Sequence, residues 1–326
     1  MKINFAQNLL RQTIFSASLD KKLLDKKLED KKDVFDPGDS QLSLSPISCL
    51  LKEKINNYKE LGGGENLVYL VNNKYIFRIP RQQRAMHANR REQILLKELA
   101  QHVKSTQIPC YSFWDHKSGV GGYKEIKGIA LTYKLYNNLS LSQKNHLARN
   151  LALAISEIHE LPLKKAPFLK NAEPEIKALM KQAASLVFAP SILAQQDREK
   201  IQEALIIIEN LLAESNYKLV VAHSDLHGDN ILIDSSLKSL NGIIDFSDAR
   251  IGFALIDFAN LFRINRKLAE DTAATYARLK KIDVQKFLRE CAAWSLIWQA
   301  SCIAQNHHAT TLRGQRRVIR AGRALS

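Results

Sequence analysis

Residues 219–248, LVVAHSDLHGDNILIDSSLKSLNGIIDFSD, place three polar side chains at the ends of short apolar runs: Asp225, Asn230 and Asp245. A carboxylate, an amide five residues on, and a second carboxylate on the following hairpin form a layout suited to phosphoryl transfer. Asp225 would orient the attacking hydroxyl and accept its proton. Asn230 and Asp245 carry the hard oxygen donors that Mg²⁺ prefers, in a site where phosphates supply other ligands. Asp229 and Asp234 read as turn residues, chosen for loop geometry.

Several elements must position these groups. Residues 58–79 read as strand, glycine turn and two further strands, with Asn72-Asn73 as a hairpin turn and Pro80 as the stop. The turn Gly62-Gly63-Gly64 allows backbone N–H groups to approach phosphates. In a kinase-like fold the third strand supplies a cation to those phosphates and a helix glutamate holds it; the strand here offers Arg78, and a helix expected over 87–99 offers Glu92. Gly122-Tyr123-Lys124-Glu125-Ile126-Lys127-Gly128 follows as an extended segment that resembles the hinge of a kinase-like fold, and the resemblance implies the purine against the backbone of Lys124, Glu125 and Ile126. Beyond it helical periods dominate. Leu147, Leu151, Ala154, Ile158 and Leu161 form one stripe, with Ser142 as the expected cap. Further helices are expected over 173–188, 192–214, 265–281 and 284–306.

The string His223-x-Asp225-x-x-x-x-Asn230, followed by Ile244-Asp245-Phe246-Ser247-Asp248-Ala249, resembles the aminoglycoside phosphotransferase and choline kinase family. GIIDFSDARIGFALIDFANL, residues 242–261, is especially similar to the branch that phosphorylates the 2″-hydroxyl of aminoglycosides. The resemblance implies an α+β, two-lobed protein-kinase-like fold, with a small β-rich N-lobe and a mainly helical C-lobe. It implies Asp225 as catalytic base, Asn230 and Asp245 as magnesium ligands, His223 as a structural residue, and ATP or GTP as phosphate donor. The expected division is a charged extension over 1–50, helical or disordered, an N-lobe over 51–121, a hinge over 122–128 and a C-lobe over 129–326. One departure stands out: the resemblance leads us to expect lysine where this chain has Arg78, and the planar guanidinium is no simple substitute. Arg78 therefore keeps a second reading open, a nucleotide-binding module without catalysis. A protein kinase is a third reading, opposed by two features. Ser224 stands where an arginine would pair with a phosphorylated loop, and only eleven residues separate Asp245 from Asp257.

The remaining composition bounds the partners. The chain has 326 residues, 45% hydrophobic and 25% charged, as in ordinary globular proteins. No apolar run approaches the roughly 20 residues of a membrane span. Cys49, Cys110, Cys291 and Cys302 form no metal-binding spacing and read as reduced thiols of a cytoplasmic protein; a monomer is expected. The net charge of +15 is uneven, because residues 219–262 hold six acids against Lys238 and Arg250. The basic excess is expected to aid solubility and nucleotide binding, with no specific nucleic-acid partner. The expected acceptor is a hydroxyl of a small molecule, bound near Asp248, Glu270, Asp271 and Glu290. No acid follows Glu290, while Arg313, Arg316, Arg317, Arg320 and Arg323 do. Polycationic aminoglycosides, which need clustered carboxylates, are therefore expected to be poor acceptors.

Overall fold

The computed structural model describes residues 44–305, apart from 190, 191, 215, 216 and 238. Most of the expected charged extension, Pro190 as a helix separator, and the basic C-terminal tail lie outside the described residues. The chain divides into two compact units. Among the described residues one comprises 44–171 and 219–283, and the other 172–218 and 284–305.

The larger unit begins with helix α1 (Ser45–Leu50), started by Pro46 in its first turn. Strands β1 (Tyr58–Gly62), β2 (Asn66–Val71), β3 (Tyr75–Pro80), β4 (Tyr111–Trp114) and β5 (Gly121–Lys124) form an antiparallel sheet of order β1-β2-β3-β5-β4. The β2–β3 turn has Asn72 and Asn73 at φ 54° and 51°. Two successive left-handed residues match strand twist in a tight hairpin, and asparagine tolerates that region better than most side chains. Leu67, Tyr69, Val71 and Phe77 bury one part of the sheet together with Ile47 and Leu51. Helix α2 (Gln83–Leu99) follows β3 and starts one turn earlier than the sequence pattern suggested.

A second, three-stranded sheet holds β6 (Ile129–Ala130), β8 (Ile231–Ile233) and β9 (Leu240–Ile243) in the order β6-β8-β9. β7 (Val220–Ala222) pairs with β10 (Arg250–Gly252). Beneath these lie α3 (Tyr133–Asn138), α4 (Leu141–His159), the short α7 (Ile256–Ala259) and α8 (Leu261–Ile264), and α9 (Arg266–Lys280). Leu151, Ile155 and Ile158 of α4 and Leu268, Ala273 and Tyr276 of α9 are all buried, and the two helices pack together. Ser140, not Ser142, caps α4. Its hydroxyl accepts the Gln143 N–H, and the Gln143 side chain accepts the Ser140 N–H. The reciprocal Ser-x-x-Gln pair satisfies two orphan donors, whereas Ser142 lies within the first turn.

In the smaller unit, α5 (Glu173–Val187), α6 (Gln195–Ala213) and α10 (Val284–Gln305) pack around Met180, Ile201, Ile208, Phe287 and Trp294. Lys286–Glu214 at 2.7 Å and Arg289–Glu203 at 2.6 Å tie α10 to the end and the side of α6. Among the described residues, no helix is long and apolar enough to cross a membrane.

β5 opens on two glycines for a packing reason. A Cβ on Gly122 would stand 2.5 Å from the ring of the fully buried Phe77. Gly122→Ala is expected to destabilise the protein by about 1–3 kcal/mol, the usual cost of overpacking a core. Urea unfolding measures it, and an unchanged midpoint would contradict this packing.

Candidate active site

The catalytic-type loop runs from β7 into a 3₁₀ turn, Gly228–Asn230, and then β8. Its backbone is held from below by Asp257, which is fully buried. The two carboxylate oxygens accept the N–H of His223 at 2.9 Å and of Ser224 at 2.7 Å. Ser224 sits at φ 69°, a strained conformation for serine that these bonds secure. His159 of α4 donates Nε2–H to Asp257 at 2.9 Å, and its Nδ1 meets the Tyr276 hydroxyl at 2.8 Å. Burial alone would raise the Asp257 carboxyl. His159 and the backbone donors outweigh it and leave Asp257 below the ordinary carboxylate range.

His223 links this loop to the next. Its Nδ1 accepts the Asp225 N–H at 3.3 Å, so Nε2 carries the hydrogen donated to the Ile244 carbonyl at 3.0 Å. Its ring packs on Phe246 with centroids 4.5 Å apart. The Asn230 carbonyl accepts the Ile244 N–H at 3.0 Å, which brings Asn230 and Asp245 onto neighbouring backbone segments. The Asn230 amide nitrogen donates to the Asp225 carbonyl at 2.9 Å, leaving its side-chain oxygen as the remaining acceptor. Asp245 stands at φ 63° with its side chain 41% exposed. One oxygen, Oδ1, accepts from Arg78 and from the Ser247 hydroxyl at 2.8 Å. Oxygens from one amide and one carboxylate on adjacent strand ends suit magnesium, which takes few protein ligands and completes its shell with water and phosphate. Burial pushes the Asp245 carboxyl up, but Arg78 and Ser247 pull it further down.

Arg78 occupies the centre of the site. Nη1 donates to Glu92 Oε2 at 2.6 Å and Nη2 to Asp245 Oδ1 at 2.9 Å. Burial opposes its charge, but Glu92, Tyr111 and Asp245 together hold the guanidinium well above its usual range. Glu92 is fixed by two further bonds. Phe246 N–H donates to Oε1 at 3.0 Å and the Tyr111 hydroxyl donates to Oε2 at 3.1 Å. Gly121 faces Arg78 across the strand pair, and a Cβ there would collide with the Tyr111 ring.

The other expected residues are placed as follows. Gly62 and Gly63 have φ of 84° and 129°, and a Cβ on Gly63 would strike the Asn66 carbonyl, so the β1–β2 turn requires glycine there. A Cβ on Gly64 meets nothing. The Glu125 N–H is donated to the Lys74 carbonyl at 2.8 Å. Alternation along β5 then turns the N–H of Lys124 away from β3, to the side of β4. Asp248 lies 3.7 Å from Arg250, and burial together with Asp225 and Asp245 raises its carboxyl. Glu270 and Asp271 are paired one turn back on α9, with Arg266 and Lys267, each at 2.6 Å. Glu290 is buried in α10 of the smaller unit, 3.9 Å from Lys286. Two contacts had no counterpart in the sequence reading. Tyr111 reaches Glu92 only through strand pairing, and His227 lies 3.4 Å from Asp225. His227 was within reach of sequence reasoning, two residues after Asp225 in the same loop.

A family model described as the phosphotransferase enzyme family matches residues 58–294. The chain belongs to this family. Solved structures agree on the fold of this phosphotransferase-family chain. One is the GDP complex of wild-type aminoglycoside 2'-phosphotransferase-IIIa. Its TM-score is 0.69 at 22% identity, over 87% of this chain and 96% of that one. A ternary complex of APH(2")-IIa with streptomycin and ATP gives 0.63 at 20% identity, over 88% and 98%. Macrolide 2'-phosphotransferase type I gives 0.60 at 17% identity, over 90% and 99%. The likeness confirms the kinase-like α+β fold, with an antiparallel N-terminal sheet followed by a largely helical region.

Because its carboxyl is held low, Asp257 contributes stability that is fully present above the unfolded carboxyl value of about 3.9. That contribution is lost as pH falls through the lower folded value, since the unfolded state then binds more protons. Asp257→Asn should cost on the order of 1.5–3 kcal/mol near pH 7 and should flatten the acid limb of stability. Urea midpoints of both proteins from neutral pH to about pH 3 test this, and parallel curves would contradict it.

Proposed function

We propose that this chain transfers the γ-phosphoryl group of ATP or GTP to a hydroxyl of a small molecule. Asp225 would act as general base and Asn230 and Asp245 as magnesium ligands. The observation that carries the reading is the joint placement of these three residues. Asp225 is 40% exposed on a loop anchored by Asp257, and the Asn230 amide touches that loop while its carbonyl meets the strand end of Asp245. A half-exposed carboxylate on a rigid backbone can receive a proton from a bound alcohol. As that proton moves to Asp225, the alcohol oxygen bonds to the γ-phosphorus, the bridging P–O bond breaks, and nucleoside diphosphate leaves. Bound magnesium would supply positive charge against the phosphate oxygens. Arg78 would supply a further cation there, fixed in direction by Glu92. The purine edge would meet the backbone of Lys124, Glu125 and Ile126.

The pairing on α9 bears on the acceptor. Glu270 and Asp271 already have cationic partners, so binding a polyamine sugar there means displacing Arg266 and Lys267. The acceptor we infer is a hydroxyl compound with fewer cationic groups than an aminoglycoside, with sugars and amino alcohols as candidates. The neighbours' nucleotide and antibiotic complexes support a nucleotide donor and a small-molecule acceptor for this chain as well.

A screen of hydroxyl acceptors for release of nucleoside diphosphate, with ATP and with GTP, tests the proposal. Wild type should turn over on at least one acceptor, and kanamycin- and gentamicin-type compounds should rank below the best of them. Asp225→Asn should lose at least about a hundredfold in kcat, the low end of general-base contributions, with nucleotide affinity nearly intact. A variant keeping more than about a tenth of wild-type kcat, a barrier change under about 1.4 kcal/mol, would remove Asp225 from the role.

A further inference from the structure

His227 lies in the same loop, two residues beyond Asp225, and its ring is held at both edges. Nδ1 accepts the backbone N–H of Asp229 at 3.2 Å, as the cap of the 3₁₀ turn. A nitrogen that accepts carries no hydrogen, so the ring hydrogen sits on Nε2. That atom is 3.4 Å from Asp225 Oδ2. The Asn230 amide nitrogen, 3.3 Å from the same Nε2, gives one of its two hydrogens to the Asp225 carbonyl. With the hydrogen on Nε2, the Asp225 carboxylate is the acceptor within reach of His227. Among the described residues no other basic side chain comes within ion-pair distance of that carboxylate.

A carboxylate has two equivalent oxygens and rotates freely unless one is engaged. We propose that His227 is a positioning residue for Asp225, engaging Oδ2 so that Oδ1 is presented to the acceptor hydroxyl. This rests on Asp225 being the base. The histidine ring suits the task because one nitrogen anchors it to the loop while the other, across a rigid plane, reaches the carboxylate. The same anchor offers an alternative role, since a capping side chain would be retained for the turn alone.

Two substitutions separate the roles. His227→Asn keeps a good helix-capping oxygen for the Asp229 N–H but ends short of Asp225. His227→Gln is a poorer cap, yet it is long enough to place an N–H at Asp225. Both variants, wild type and the thermal midpoint of each are compared in two assays. One is equilibrium binding of ATP and GTP. The other is diphosphate release, with water and with the acceptors of the screen. The expected result is that His227→Asn binds nucleotide within about twofold of wild type and keeps its thermal midpoint. Its kcat should fall about tenfold to a hundredfold, the scale of a misplaced catalytic group, and His227→Gln should recover most of the loss. Wild-type kcat in His227→Asn overturns the assignment. So does a loss that tracks the thermal midpoint and that glutamine does not rescue. Wild type that releases no diphosphate with water or any acceptor overturns the phosphotransfer reading itself, and this inference with it.

Discussion

One buried guanidinium joins three parts of the larger unit. Arg78 comes from the middle of β3, Glu92 from the interior face of α2, and Asp245 from the loop after β9. Burying a charge is costly unless it is paired and hydrogen-bonded. Here both arms of the fork meet a carboxylate, and Glu92 receives two more donors, from Phe246 and Tyr111. Removing Arg78 would leave the buried Glu92 without its cation, the situation that costs about 3–5 kcal/mol in other buried pairs. The arginine also explains its surroundings. A lysine is a single point charge on a flexible stem, whereas a planar fork can span two carboxylates at once. Gly121 keeps the space beside it open for Tyr111, whose hydroxyl completes the Glu92 end.

A second buried anion does for the loop what Arg78 does for the strand ends. Asp257 fixes the backbone of His223 and Ser224, and His223 in turn fixes Ile244, the residue before Asp245. Ser224 and Asp245 both hold left-handed backbone conformations, at φ 69° and 63°. Non-glycine residues persist there only when their neighbours determine them. The half-exposed Asp225 and the buried Asn230 thus rest on a floor of buried polar bonds, the rigid support that the proposed roles would require.

Much of this was legible in the residues. The Asp225, Asn230 and Asp245 spacing located the loop, Asn72-Asn73 marked a hairpin turn, and the pairing of Arg78 with Glu92 followed from a strand followed by a helix. What stayed hidden depends on contacts between residues distant in the chain or on local competition. Tyr111 reaches Glu92 because β4 pairs with β5, a register that the short aromatic run YSFW does not announce. Ser140 displaced Ser142 as a cap because Gln143 stands three residues on, a reciprocal pair that the apolar stripe does not reveal. Glu270 and Asp271 looked available as a pair of carboxylates, yet each has a base four residues earlier on the same helical face. The purine position illustrates a limit of another kind. The segment 122–128 reads as extended, but that the Glu125 N–H is taken by the Lys74 carbonyl follows only from the pairing of β5 with β3.

The most direct measurement is a double-mutant cycle between Arg78→Lys and Asp245→Asn, read by urea unfolding. If one guanidinium holds both carboxylates, lysine reaches only one of them, and Asp245→Asn should then cost much less in the lysine background than in wild type. A coupling of about 1 kcal/mol or more is the predicted result. Costs that add within about 0.3–0.5 kcal/mol, as independent sites do, would contradict it.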